Sequence, residues 1–375
     1  MSLNFVDGAQ LDTSLTSIAD AIRAKGGTSA SLAFPSGFVS AISAIPTGGG
    51  GGNDAAIIDR TISGAYENSE VGEIGAYAFF QCQNLTAASF PNASAVGSHA
   101  FDLCYTLAEV YAPSATAIET FAFQSCSSLA SINFPVLPSI GAGAFSKCLA
   151  LSSASIPAVE VVGSSAFAGC GALSSVDLPA TTRIEAYAFV NCTALSALNF
   201  PALISARSSA FQGCTQLKTF SAPLLTSLGG YAFANCTDLE TVYIPECKSV
   251  NTNAFASCIH LENVTLNKAS IIGGSAFRGC SSLTALSLPA VSVFVSLAFQ
   301  LCTRLVSLFL PGGYVATLDN SNAFSSTPIA GYTTEAGRLG SIYVPSSLID
   351  AYKVAPRWSL FTARFAAIED YVPEG

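Results

Sequence analysis

Residues 166–179 read Ala-Phe-Ala-Gly-Cys-Gly-Ala-Leu-Ser-Ser-Val-Asp-Leu-Pro, and this stretch decides the fold because it recurs along the chain. The alanine, the phenylalanine, the cysteine and the first leucine occur in eleven copies that follow one another at a constant 22-residue period. The eleven phenylalanines are Phe79, Phe101, Phe123, Phe145, Phe167, Phe189, Phe211, Phe233, Phe255, Phe277 and Phe299. A degenerate copy begins at Ala323-Phe324 after a 25-residue step and lacks the cysteine. Self-similarity at such a fixed period is typical of proteins built from stacked repeats.

Each copy contains two kinds of local pattern. The second half, Leu-x-x-Val-x-Leu-Pro, alternates as a strand with one buried face does, and proline then ends the strand because it has no N–H for the ladder. In the first half, apolar residues spaced by three positions indicate one short helical or 3₁₀ turn. One 22-residue unit cannot bury its apolar face alone, so the units must stack on one another. The pattern therefore predicts a solenoid with a parallel sheet, in which each coil has one short strand and one short turn.

This motif, with Ile-Gly shortly before the next Ala-Phe, resembles the BspA-like leucine-rich repeats over about residues 74–345. It departs from the general leucine-rich pattern, which has asparagine or cysteine after the strand, because the cysteine here precedes the strand. The resemblance implies a leucine-rich-repeat solenoid. It also implies a bacterial, or sometimes protozoan, surface protein that binds molecules of a host or a neighbouring cell.

The sequence predicts four segments. Residues 1–47 form a small helical module, in which Leu15, Ile18 and Ile22 share one face, and residues 48–53 are a glycine linker that isolates this module. Residues 54–340 are the solenoid, and residues 341–375 form a cap with a strand over 341–345 and a helix through Tyr352. We expect Ser347 and Asp350 to start that helix as a variant capping box.

The segment 15–29, together with Phe34-Pro35, resembles short modules in phage and prophage structural proteins of Gram-positive bacteria. This second resemblance implies an alternative function. The chain would then be a virion or tail-associated structural or receptor-binding component, and residues 1–47 would attach it.

Composition and charge exclude several classes of partner. Only 10% of the residues are charged, and the net charge is −9. Such a surface lacks the basic stripe that nucleic acid requires and the Lys/Arg face of a membrane-surface helix. No apolar run approaches the roughly 18 residues of a membrane span. No secretory signal peptide is visible at Met1, yet the repeat resemblance favours an extracellular or cell-surface location for what we expect to be a monomer.

The residues that usually carry chemistry do not form a site. Eleven of the twelve cysteines keep the 22-residue period, the twelfth is Cys247, and no Cys-x-x-Cys pair occurs. We therefore predict reduced, buried thiols rather than a metal centre. His99 and His260 lie many coils apart, and Cys258, the thiol closest to His260 in sequence, belongs to the buried series. We predict no catalytic residue, no cofactor and no metal.

A variable position of the repeat lies ten residues after each phenylalanine and points outward from the predicted strand. Large or charged side chains occur there at Tyr111, Asp177, Tyr243 and Phe309. Glu240 and Glu262 occupy other outward positions, one in the same copy as Tyr243 and one in the next. A regular core with a varied outer face is how repeat scaffolds present a binding surface. The sequence therefore predicts a non-catalytic binding or adhesion protein, with these six residues contacting a protein or a glycan, although a merely soluble sheet face gives the same pattern.

Overall fold

The computed structural model describes residues 60–334 and 337–372. Within these ranges the chain forms one continuous stack of coils with a single core, and the predicted parallel solenoid is confirmed. The predicted helical module, the glycine linker and the phage-like segment lie outside the described residues.

Each regular coil contains two short strands, each paired in parallel with its equivalents one repeat period away. The first series follows the conserved leucine, and its middle residue points into the core, as Val242 does between Thr241 and Tyr243. Its strands are β1 (Ser63–Glu67), β2 (Asn84–Ser89), β4 (Glu109–Tyr111), β6 (Ser131–Asn133), β8 (Ser153–Ser155), β10 (Ser175–Asp177), β12 (Ala197–Asn199), β14 (Thr219–Ser221), β16 (Thr241–Tyr243), β18 (Asn263–Thr265), β20 (Ala285–Ser287), β22 (Ser307–Phe309), β24 (Ser341–Val344) and β25 (Phe365–Ala367). Ladder hydrogen bonds join the strands of this series into four consecutive sheets.

The second series forms one sheet of eleven strands in coil order, which the repeat pattern did not predict. Each of its strands has only two residues, and in the regular copies the second is the apolar residue five positions before the core phenylalanine, such as Ile140 or Ile184. A two-residue strand shows no alternation, so the sequence revealed its buried position but not its pairing. Its strands are β3 (Ala95–Val96), β5 (Ala117–Ile118), β7 (Ser139–Ile140), β9 (Val161–Val162), β11 (Arg183–Ile184), β13 (Ser205–Ala206), β15 (Ser227–Leu228), β17 (Ser249–Val250), β19 (Ile271–Ile272), β21 (Val293–Phe294) and β23 (Thr317–Leu318).

The Ala-Phe segment between the two series consists of successive tight turns in the regular copies. In each copy the residues two before and two after the phenylalanine have positive φ, as at Tyr187 (61°) and Asn191 (58°). This conformation turns the phenylalanine N–H toward the next coil, where it donates to an alanine carbonyl, as Phe167 does to Ala188 over 2.8 Å. The backbone is thus satisfied between coils rather than within a helix. Only the degenerate copy forms a 3₁₀ helix here, at Ser321–Phe324.

The core phenylalanines form a continuous stack of parallel rings. Neighbouring centroids are between 4.9 Å (Phe79 and Phe101) and 5.6 Å (Phe189 and Phe211) apart along the whole series, and Phe324 extends it. Phe211 is fully buried, and so are nearly all the others. The invariant phenylalanine therefore has a structural role in every coil.

The cysteines form a second buried column beside the rings. All twelve are free and buried, and from Cys104 to Cys302 each register thiol donates to the carbonyl of a phenylalanine in the preceding coil, as Cys170 does to Phe145 over 3.0 Å. Burial raises the pKa of the Cys170 and Cys214 thiols to about 12. The thiolate, which is the reactive form, is accordingly scarce at neutral pH.

We expect the native thiols to resist alkylation. With a pKa of about 12, as at Cys170 and Cys214, only about one thiol in ten thousand is ionised at pH 8. Maleimide labelling at pH 8, read by intact mass, should therefore add almost nothing to the folded chain and label all twelve cysteines in denaturant. Rapid labelling of several cysteines without denaturant would contradict the buried column.

The C-terminal cap covers the last coil. It contains one α-helix, α1 (Ile349–Val354), and 3₁₀ helices at Pro328–Ala330, Ser346–Leu348, Trp358–Arg364 and Ile368–Asp370. Trp358 is buried, and its indole N–H donates to the Ala316 carbonyl over 2.6 Å. The ring packs against Phe294 and Phe324 at centroid distances of 5.8 and 5.9 Å.

The predicted capping box at Ser347 and Asp350 is wrong. The α-helix begins at Ile349, with Leu348 at its N-cap, and no side chain caps it. A 3₁₀ turn over Ser346–Leu348 leads into the helix and places Ser347 too early to cap it. The carboxylate of Glu369 instead accepts hydrogen bonds from the N–H and hydroxyl of Ser346. Hydrogen bonding to the backbone N–H of Glu369 itself, and then to Ser346, lowers the pKa of Glu369.

Candidate binding face

The outward side chains of the longer strands form one surface along the solenoid, which we call the strand face. It consists of the residues seven, eight and ten positions after each core phenylalanine, from Thr86 to Phe309. The residue nine positions after the phenylalanine points inward, so its two neighbours along the strand point outward. The residue seven positions after the phenylalanine, at the start of the strand, is also exposed in most coils. Most side chains on the strand face are small, because serine, alanine, threonine and asparagine occupy most of these positions.

The large or charged side chains at the position ten residues after each phenylalanine are evenly spaced. Tyr111, Asp177, Tyr243 and Phe309 follow one another at intervals of three repeat periods. Tyr111 is 58% exposed and Tyr243 is 46% exposed, and Asp177 is also exposed. The structure therefore places three of these side chains on one accessible surface, with mostly small residues between them.

Phe309 has a different environment. It is half-buried between two tyrosines. Its ring stacks on that of Tyr343, with the centroids 4.9 Å apart, and packs in a T-shaped arrangement against that of Tyr371, with the centroids 4.7 Å apart. Tyr343 is the cross-strand partner of Phe309. The repeat register predicts neither tyrosine, because the step from Phe309 to Tyr343 is longer than the repeat period and Tyr371 lies beyond the last strand. The alternation of Ser341–Val344 was the one available signal for Tyr343.

Glu240 and Glu262 are exposed and lie in adjacent coils, where the Glu262 N–H donates to the Glu240 carbonyl over 3.0 Å. Two residues separate Glu240 from Tyr243 along the chain, and the strand partners of Tyr243 are Ser221 and Thr265. The two glutamates therefore lie at the start of the strands rather than directly beside the Tyr243 ring.

A comparison with known protein families assigns the chain. The family described as "BspA type Leucine rich repeat region (6 copies)" matches residues 62–170, 138–262 and 226–342, which together span most of the sequence. The chain belongs to the BspA-type leucine-rich-repeat family. The solenoid of this family is typically a non-enzymatic binding scaffold. No curated protein matches the chain.

Several solved leucine-rich-repeat structures are similar to this BspA-type chain. A leucine-rich repeat protein from Bacteroides ovatus is 26% identical, with 80% of this chain and 88% of that chain covered and a TM-score of 0.44. A leucine rich cell surface protein from Faecalibacterium prausnitzii is 20% identical, with 83% of each chain covered and a TM-score of 0.41. The T. pallidum leucine rich repeat protein is 25% identical, with 41% of this chain and 78% of that chain covered and a TM-score of 0.39.

The side chains most often used in catalysis or metal binding lie in separate places in this BspA-type solenoid. The Cys258 thiol donates to the Phe233 carbonyl, whereas His260 Nδ1 lies 2.9 Å from the Thr237 carbonyl, so these two side chains do not pair. His99 Nδ1 lies 2.9 Å from Asp102 Oδ2, and burial raises the pKa of the Asp102 carboxyl against the opposing effect of that hydrogen bond. Across residues 60–334 and 337–372, no group of three or more His, Cys, Asp or Glu side chains is arranged to hold a metal ion. No helix in the same ranges is long and apolar enough to cross a membrane.

Proposed function

We propose that this chain is a non-catalytic binding protein at a bacterial cell surface, and that its strand face holds a protein or glycan outside the cell. The observation that carries the proposal is the exposure of Tyr111 and Tyr243 on a face where most side chains are small. Neither ring contributes to the core, so folding does not require either of them. Exposed aromatic side chains are enriched at binding hot spots because they bury a large area with little loss of rotamer entropy.

The spacing of the tyrosines bears on the size of the partner. Tyr111 and Tyr243 are six coils apart, which corresponds to about 30 Å at the spacing of neighbouring strands. A small molecule does not span this distance. The proposed partner is therefore a polymer or a protein surface that lies along the solenoid. We propose that the chain binds it as a monomer.

The full chain should bind saturably to at least one member of an array of glycans and extracellular proteins. Binding titrations with the retained molecule would then give its Kd. If no molecule on either array bound saturably, and the chain instead turned over a substrate in an activity screen, the proposal would fail.

For a retained partner, Tyr243→Ala should weaken binding by about 2 kcal/mol, or roughly 30-fold in Kd, because the change removes an exposed aromatic anchor. Tyr187→Ala is the matched control, since Tyr187 is 48% exposed but lies in the turn before Phe189. Circular dichroism should show that both variants are folded. Unchanged affinity for Tyr111→Ala, Tyr243→Ala and Phe309→Ala alike would eliminate the strand face as the binding surface.

A further inference from the structure

The strand face carries a net negative charge. Its acidic residues are Glu109, Asp177, Glu240 and Glu262, and its basic residue is Lys218, so its formal charge is −3. All five side chains are exposed. The remaining positions are uncharged, and Lys218 lies one coil before Glu240, whose N–H donates to the Lys218 carbonyl over 2.9 Å.

The four carboxylates of the strand face have no side-chain partner within residues 60–334 and 337–372. Among the described residues, none of them accepts a side-chain hydrogen bond or forms an ion pair. Some carboxylates elsewhere on the surface do have partners. Glu185 lies 2.9 Å from Arg183 Nε and 3.2 Å from Arg207 Nε, and Glu119 accepts two hydrogen bonds from Ser98. The acidic groups of the strand face therefore remain available to a cationic partner.

Three of the four carboxylates lie in the same coil as an exposed tyrosine or in the adjacent coil. Glu109 and Tyr111 are two residues apart on β4, so both point outward on the same strand. Glu240 precedes Tyr243 by three residues, and Glu262 follows Glu240 in the next coil. An aromatic ring face attracts a cation, and a carboxylate accepts a charge-assisted hydrogen bond from the same group. The guanidinium group fits this combination best, because it is planar, stacks on aromatic faces and binds a carboxylate through two N–H groups.

We infer that the partner of the strand face is a basic polypeptide segment, whose arginine or lysine side chains contact the Tyr111 and Tyr243 rings and the carboxylates in the same or the adjacent coil. This inference rests on the proposed function and specifies the chemistry of the partner. An anionic glycan is disfavoured, because it would bring like charge against Glu109, Asp177, Glu240 and Glu262. Along an extended segment, about nine residues span the distance from Tyr111 to Tyr243, and Asp177 lies three coils from each.

The test compares nona-arginine with nona-citrulline, which has nearly the same shape but no charge. Fluorescence anisotropy of the labelled peptides with the full chain should give a Kd at least tenfold lower for nona-arginine, and added salt should weaken that binding. Glu240→Gln/Glu262→Gln should raise the Kd at least fivefold. The matched control is Glu160→Gln/Glu246→Gln, which changes the net charge equally at two exposed residues outside the strand face. This control should change the Kd less than twofold.

Three outcomes would overturn the inference: equal affinity for the two peptides, equal losses for the two double variants, or binding of nona-arginine that does not depend on Tyr243. These failures are distinguishable from failure of the proposed function. If an array partner loses affinity on Tyr243→Ala but nona-arginine does not bind, the strand face is a binding surface for an uncharged or acidic molecule. If Tyr111→Ala and Tyr243→Ala affect neither the array partner nor nona-arginine, both proposals are wrong.

Discussion

Replacing Phe211 with alanine should lower the free energy of unfolding by about 3–5 kcal/mol, the usual range for truncating a buried phenylalanine. Phe211 is fully buried in the middle of the stack, with ring centroids 5.6 Å from Phe189, 5.1 Å from Phe233 and 5.1 Å from Phe220. Removing the ring leaves a cavity between two coils that the neighbouring rings cannot close without losing their own contacts.

Urea unfolding followed by circular dichroism would measure this loss. Phe211→Leu should cost much less, because leucine fills most of the space, and the exposed Tyr243→Ala should stay within about 0.5 kcal/mol of the natural chain, as surface substitutions usually do. If Phe211→Ala unfolded at the same urea concentration as the natural chain, the rings would not form the core that the structure shows.

Trp358→Ala should have a comparable effect at the end of the stack, again about 3–5 kcal/mol. The substitution removes the ring that packs on Phe294 and Phe324, and it leaves the Ala316 carbonyl without its hydrogen bond from the indole. The last coil would then expose its open face, because a solenoid needs a terminal cap to cover it.

Leu360→Ala is the control for Trp358→Ala, because Leu360 lies in the same 3₁₀ helix but is 68% exposed. Its melting temperature should match that of the natural chain, whereas Trp358→Ala should melt at a lower temperature and exchange amide hydrogens faster around 316–324. Similar melting curves for the two variants would show that Trp358 does not hold the cap.

The period of the sequence was sufficient to predict the solenoid, because one phenylalanine, one cysteine and one leucine per 22-residue unit can be buried together only by stacking. It did not predict the second series of strands, since Ser139–Ile140 and its equivalents are too short to show alternation. The helix start was also mispredicted. Ser347 and Asp350 have the spacing of a cap, but a 3₁₀ turn carries the chain past Ser347 before the α-helix begins.

The repeat register correctly predicted that Tyr111, Asp177 and Tyr243 point outward. It could not predict the burial of Phe309, which depends on Tyr343 and Tyr371 outside the register. The sequence also did not predict which carboxylates form ion pairs. Glu185 pairs with one arginine of its own coil and one of the next coil, whereas Glu109 pairs with none among the described residues. These properties depend on contacts between coils, and those contacts are set by side-chain direction rather than by spacing alone.

The most direct test of the binding face is hydroxyl-radical footprinting of the full chain with and without a partner retained from the arrays. Tyr111 and Tyr243 should lose reactivity when the partner binds. Tyr187 and Tyr231, which are 48% and 47% exposed but lie in the turns before Phe189 and Phe233, should keep theirs. Protection of Tyr187 and Tyr231 with no change at Tyr111 and Tyr243 would contradict binding at the strand face and place the partner on the turn side of the solenoid.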